Sequence, residues 1–572
     1  MDAGCRFDKS KPQDIFLKFA RTESMGTSLL QMPVRQVWEK YSSAALALDS
    51  RSLSLLRIAL GITILLSIWL RLPDFLAHYT EAGVLPLEMM RLEWRERMLW
   101  SLFALSPDIW WTAGLFAITA ICAFSFAAGW GGRPVTLLLW VLLLSLHNRN
   151  PLILNSGDHL LLSTLFWSLF LPLGLHWNLP APWRRWTRTR IPGSTPARKV
   201  VGIPSLAIIL QFVFLYSIGA LIKWGAEWQS EFSAVWYSLQ LPSFVLPPGE
   251  FLGNFPAFSL LMTPVVLWSE LLVPLLLLIP WKNALWRMIV VVFGIGLQAG
   301  FASMLALGLF PLACICIALP LLPSAFWESL RRFLRKAVPP SAESPPVLPT
   351  GVQSALCSVA LLMVFFGNME TVPANNSGKL SLIRDSIQFT FPDSFPAKAA
   401  GVLSATAMQT GDFFCLRQNW KMFAPRPKSL DGPVILEALL ADGTVTDLMP
   451  HLRSLDLPYA DLENPPPSGS LAGYHTPRWR KYFSKLTLQG KRHFFPALDR
   501  YLTNRWNAAK PEHLHIVSLQ AFTNFQRNRW ENEPEILGKI EIYPSFGPFV
   551  AEPDEEGEPE KKSALVKDVL GG

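Results

Sequence analysis

Residues 204–223 read PSLAIILQFVFLYSIGALIK. Pro204–Ile222 carries no charge, and about 20 helical residues cross the hydrocarbon core of a bilayer. The stretch is therefore long enough to span a membrane, and it stops on Lys223. Eight more apolar stretches share the chain with it: Leu53–Leu70, Ile109–Ala128, Pro134–Leu146, Leu160–Leu173, Phe258–Ile279, Met288–Phe301, Met304–Leu322 and Val352–Phe366. In chain order the first, second, fifth, sixth and eighth are comfortable spans, and the others need tilt or help from their flanks. Composition agrees, with 51% hydrophobic and only 16% charged residues, where a soluble chain carries about a quarter charged. That balance excludes a disordered protein and disfavours a cytosolic enzyme. The 37 Phe and 23 Trp against 9 Tyr suit helices in lipid with indole rings at the interfaces. The expected fold is a polytopic all-α membrane bundle of about nine transmembrane helices, followed by a C-terminal α+β extracytoplasmic domain.

The net charge of +8 raises the question of nucleic acid, and the location of the charges answers it. His176–Val201 holds Arg184, Arg185, Arg188, Arg190, Arg198 and Lys199 without an acid, which places that loop in the cytoplasm. Lys282 and Arg287 fall on the same side, as do Arg331, Arg332, Arg335 and Lys336. Trp224–Ala257 carries Glu227, Glu231 and Glu250 without a base and faces out. Nine alternating spans satisfy every loop, with a cytoplasmic N-terminus in the plasma (inner) membrane. The basic charge is then topological, and no nucleic-acid partner is expected.

The expected organisation is a cytoplasmic segment over 1–52, with no apolar h-region and so no expected cleavable signal, and a transmembrane domain over 53–322. A Pro-rich linker over 323–351 and a last span over 352–367 follow. An outer α+β domain over 368–550 and a disordered tail over 551–572 complete it. Within the outer domain, Val434–Leu440 and Val445–Leu448 flank Asp442-Gly443 as a hairpin. Arg478–Trp506 has helical spacing, and Lys539–Tyr543 alternates like a strand. Asn375-Asn376-Ser377 matches a glycosylation sequon.

Ionisable residues at membrane depth are costly, so each is a functional candidate beside a bland alternative. Asp158 and His159 open the fourth span. They are either a helix start favoured by the macrodipole or one wall of a polar pocket. Lys223 is either a snorkelling lysine paired with Glu227 at i+4 or a desolvated amine able to act as a base. Glu270, in Trp268-Ser269-Glu270-Leu271, has no water within reach and must be protonated, paired or cavity-facing. Gln211 and Gln298 suit interhelical hydrogen bonds. Cys122, Cys314, Cys316 and Cys357 lie in apolar stretches as small hydrophobes. His147, His493 and the pair His513 and His515 lack the companions of a metal site. There is no P-loop, zincin motif or nucleophile elbow, and no metal is expected.

Several segments together resemble the vitamin K-dependent γ-carboxylase and its bacterial relatives, the horizontally transferred transmembrane (HTTM) domain family. They are Arg57–Gly61 with Tyr79–Pro86, Arg149-Asn150-Pro151 with Gly157-Asp158-His159 and Phe170–Gly174, Tyr216–Lys223 with Glu227-Trp228, and Gln418–Pro425 with Arg478–Tyr482. Their order along the chain carries the likeness. The resemblance implies a quinol enzyme (a lyase and epoxidase). In it the lysine ending the fifth span deprotonates reduced vitamin K or a related hydroquinone, which reacts with O2 and leaves as its epoxide. It also implies that the alkoxide formed on the way removes a γ-proton from a glutamate, to which CO2 adds. On this reading Lys223 and His159 are catalytic, and Asp158, Glu270, Gln298 and Trp420 surround the substrate. The partners are the lipid bilayer, a membrane quinol and a peptide or protein substrate outside. Three departures stand out. A family histidine in the seventh span is Gln298 here, the first outer loop, Arg71–Asp108, has no cysteine to bridge to the outer domain, and little chain follows Ser545. Peptide recognition is thus the least transferable part. Two other classes are weighed beside the enzyme: a non-catalytic scaffold or maturation helper, and a transporter relaying protons through Asp158, His159 and Glu270.

Overall fold

The computed structural model describes residues 41–95, 99–180, 199–334, 350–375, 411, 420, 422–452, 474, 476–488, 491–530 and 532–543. Helices dominate. We number the principal ones α1 (Ser50–Trp69), α2 (Ile109–Ala128), α3 (Gly132–Arg149) and α4 (Ser156–Ser168). α5 covers Ile203–Leu221, and α6 (Pro256–Leu272) continues as a 3-10 turn over Val273–Leu278. α7 (Asn283–Met304), α8 (Phe310–Ala318), α9 (Ser324–Phe333) and α10 (Gly351–Asn375) follow.

Their ends follow local chemistry. Asp49 starts α1 by accepting from the Arg51 backbone N–H at 2.8 Å, and Asp108 starts α2 by accepting from Trp110 N–H at 3.0 Å. α2 stops at Gly129, whose φ of +81° is the left-handed stop that glycine supplies. A side chain there would also collide with Asn178 and Arg57. Asn155 and Asp158 form a reciprocal capping box at the start of α4.

Among the described residues, five helices are long and apolar enough to cross a membrane: α1, α2, α5, α6 with its extension, and α7; a bent pair raises this to six. Burial sorts them. α5 has 83% of its apolar window inside the protein, against 28% for α6 and for α7. α5 is therefore the centre, and α6 and α7 form a rim whose exposed Leu261, Trp268 and Val292 make an apolar surface. Such a surface is costly in water and free in hydrocarbon, which makes this a membrane protein.

Two spans differ from the sequence expectation. α7 has 22 residues and is long enough to cross, whereas α8 is short and meets α9 at a 90° bend. Pro323 stands at the bend and holds Leu322 extended, at φ −55° and ψ 121°, so the helix cannot run on.

Strands β1 (Leu48–Asp49) and β2 (Lys199–Val200) tie the entrance of α1 to the segment before α5. The other sheet has five strands: β3 (Leu430–Asp431), β4 (Val434–Leu440), β5 (Val445–Asp447), β6 (Ile516–Arg529) and β7 (Asn532–Tyr543). β6 is central and antiparallel to β3, β4 and β7, and β4 turns into β5 through Asp442-Gly443, as that dipeptide suggests. α11 (Pro477–Leu488) and α12 (Phe495–Ala509) occupy the segment read as helical. α11 buries Trp479, Tyr482, Phe483 and Leu486. It meets the bundle through Lys485 Nζ donating to Pro151 O at 2.6 Å and the Tyr482 hydroxyl donating to Val84 O at 3.4 Å. The N-terminal segment 1–40, the arginines at 184–198, residues 335–349 of the linker, Asn376 and Ser377 of the sequon, Gln418, Asn419 and the tail 551–572 lie outside the described residues.

Candidate functional site

The centre of the molecule is also where its least ordinary helix lies. Inside α5, Phe214–Ile218 winds as a π-helix, a form that recurs at functional sites. It carries Tyr216 into the bundle, and Lys223 follows the last turn. Lys223 is buried, at 6% exposure, and its Nζ donates to Oε2 of Glu270, itself 5% exposed, on α6. The ammonium also lies 4.5 Å from the centre of the Trp228 ring, a cation–π contact. Glu227, the partner that i+4 spacing would select, does not make this bond, and its Oε2 is buried without a hydrogen bond among the described residues.

Beside the pair lies a cavity of about 30 Å³. Tyr216, Lys223, Glu270, Gln298, Phe310 and Trp420 are among its walls. Gln298 Nε2 donates to the Tyr216 hydroxyl at 3.0 Å. Its Oε1 and the indole Nε1 of Trp420 are buried with no hydrogen bond among the described residues. Buried polar atoms are rarely left bare, so an unfilled acceptor and an unfilled donor on the walls of one cavity suit a polar occupant.

Of the six candidate residues, Lys223, Glu270, Gln298 and Trp420 share this cavity, and Asp158 and His159 are not among its lining residues. The wall from α4 is Ser156. Asp158 is committed elsewhere: its Oδ2 accepts from Asn155 N–H at 3.0 Å and its Oδ1 from Arg71 at 2.7 Å. His159 is half-buried and sits three residues past Ser156, about 4.5 Å further along the helix axis and about 60° round it. The expected single pocket holding His159 with Lys223 is therefore corrected to a cavity without that histidine.

Asp158 anchors a second polar cluster. Arg478 of α11 approaches its Oδ1 to 3.8 Å, and His147 Nε2 to 3.9 Å. His78 lies over Trp479 with ring centres 4.5 Å apart, and Thr476 donates to Asp74 at 2.8 Å. Burial first, then Arg478 and Arg149, push the His78 imidazole down to about 3. His147, isolated in the sequence, thus has a carboxylate neighbour after all. Arg478 carries one signal that sequence reading could use, an arginine in an aromatic stretch with no local acid.

Among the described residues no group of three His, Cys, Asp or Glu is placed to hold a metal ion. Cys122, Cys314, Cys316 and Cys357 are buried free thiols. No family model, curated protein or solved structure matches the chain.

Proposed function

We propose that this chain is a multi-pass membrane enzyme that oxidises a quinol of the vitamin K hydroquinone type to its epoxide with O2, using Lys223 as base. The observation that carries the reading is the Lys223–Glu270 pair on the wall of a small cavity that also holds the unfilled Gln298 Oε1 and Trp420 Nε1. A base that removes a hydroxyl proton must be near it and must have somewhere to send its own proton. Glu270 is that place: moving one proton from Nζ to Oε2 leaves a neutral amine beside a neutral acid, with no net charge created in the interior. Gln298 and Trp420 offer one acceptor and one donor, which matches the two oxygen functions of a hydroquinone, and Gln298 fills the place of the family histidine. The aromatic rings of Trp228, Phe310 and Trp420 exclude water that would quench a strong base.

The reading includes about nine spans, a cytoplasmic N-terminus, an extracytoplasmic α+β domain and residence in a plasma (inner) membrane. The partners are the bilayer, a membrane quinol and a peptide or protein on the outer side. Glutamate carboxylation with CO2 is a separable second half of the activity.

Purified protein in detergent should consume O2 and form epoxide when given vitamin K hydroquinone, and Lys223→Ala should abolish both. Wild-type turnover by that variant sinks the proposal. Labelled CO2 entering a glutamate-containing peptide tests the second half independently. One observation favours a second reading, a scaffold: a lysine held by a buried carboxylate can be purely structural. A scaffold would show no hydroquinone-dependent O2 uptake in the wild-type protein at all.

A further inference from the structure

In the sheet-containing part, two cations share one aromatic ring and a third stands close to both. Arg480 lies 3.8 Å from the centre of the Phe244 ring, by its guanidinium carbon, and Lys428 Nζ lies 5.8 Å from the same centre. Lys481 is close enough to feel both Lys428 and Arg480. Arg480 is fixed, its two terminal nitrogens donating to Ser243 O at 2.6 Å and Ala306 O at 3.0 Å. The carboxylate acting on Lys428 and on Arg480 is Asp431. It is already committed, since its Oδ2 accepts from the Ser243 N–H at 3.0 Å and the Ser243 hydroxyl at 2.7 Å. Among the described residues, three cations face one carboxylate. Neither the Lys428 nor the Lys481 ammonium has a hydrogen-bond or ion-pair partner among the described residues.

Packing like charges together raises the energy of a fold unless something of opposite sign offsets it. The strain registers at half-buried Lys481, whose ammonium is pushed down to about 8 by burial first and then by Lys428 and Arg480. An aromatic floor, a guanidinium locked by two carbonyls and two unpartnered ammonium groups make a rigid receptor for an oxyanion, in which Arg480 sets the field and the lysines supply mobile donors.

We propose that Lys428, Arg480 and Lys481 form a binding site for a carboxylate or phosphate oxyanion. The site adjoins the Lys223 cavity. Phe244 packs on Phe423 with ring centres 6.1 Å apart, Phe423 O accepts from Trp228 Nε1 at 2.9 Å, and Trp228 faces Lys223. The site follows from its own charges and stands whether or not Lys223 is catalytic.

The test uses the full chain in zwitterionic phosphatidylcholine nanodiscs, with the thermal midpoint read by tryptophan fluorescence. Inorganic phosphate and succinate should raise the midpoint in a saturable way, while potassium chloride at equal ionic strength should not. Lys428→Gln and Lys481→Gln should each weaken the apparent affinity about tenfold, the worth of one charge-assisted hydrogen bond. Lys481→Arg should keep it, which separates lost charge from lost folding. Near pH 8 the wild-type protein should take up protons as phosphate binds, because the anion favours the charged form of Lys481, and Lys481→Gln should not. Nanodiscs containing phosphatidylglycerol identify the source. Protection that replaces the phosphate response assigns the site to a lipid headgroup, and an unchanged response assigns it to a soluble acid. The proposal is overturned if phosphate, succinate and phosphatidylglycerol all act as chloride does, or if the glutamine variants bind like wild type.

Discussion

Breaking the Lys223–Glu270 pair from one side should cost more than removing both partners. Lys223 is 6% exposed and Glu270 5%, so each charge keeps little access to water when its partner is lost. Leaving one charge alone in such a place typically costs about 3–5 kcal/mol, whereas an apolar pair of similar volume often costs nothing. The offsetting contact with Trp228, at 4.5 Å, contributes about 2 kcal/mol in a desolvated site and serves only the lysine. Glu270→Leu alone should therefore lose about 3 kcal/mol, with Lys223 softened by Trp228. Lys223→Met alone should lose somewhat more, since Glu270 has no such second partner among the described residues. The double variant Lys223→Met/Glu270→Leu should return to within about 1 kcal/mol of wild type. Unfolding of the four proteins in mixed micelles closes the cycle. A coupling energy near zero, or a double variant as damaged as the sum of the singles, refutes the argument. The alanine test of catalysis inherits a condition from this: Lys223→Ala uncovers a buried carboxylate, so its loss of activity counts only beside a folded Lys223→Met/Glu270→Leu control.

Stability should also fall on acidification because of His78. The unfolded chain binds a proton at this imidazole near its ordinary 6.5, but the folded chain does so only at about 3. Between those values the unfolded state holds more protons, so stability is intact above pH 6.5 and is lost as the pH drops, by roughly 2 kcal/mol at pH 5. His78→Phe keeps a ring against Trp479 and should flatten that part of the profile; an unchanged slope from pH 7 to pH 5 would contradict it. For topology, reporter fusions at Arg190 and at Lys428 should report opposite sides of the membrane, and the same side from both ends the nine-span arrangement.

Much of the architecture was legible in the chain because lipid imposes a local rule. A segment crosses if it is apolar for long enough, so α1, α2, α5 and α6 fall where the apolar runs lie. The same rule singled out Glu270: a carboxylate in Trp268–Leu272 cannot face hydrocarbon uncompensated, whatever the fold. The hairpin at Asp442-Gly443 was equally local, because a tight turn depends on two residues.

What the sequence could not decide were choices between partners far apart in the chain. Lys223 had Glu227 four residues away, and the fold gave it Glu270, 47 residues on, because α5 and α6 pack side by side and the chain turns away from the helix after Ile222. The length of α7 and the 90° turn into α9 depended on where helix ends are capped or stopped by Pro323, which hydropathy does not encode. Asp158 is the sharpest case. Its position at a helix start was readable, but its engagement by Arg71 and Arg478 required α11, more than 300 residues later, to settle on the bundle. Burial needs that a sequence announces are one-body properties; the identity of the group that satisfies each one is a two-body property, and only the tertiary structure supplies the second body.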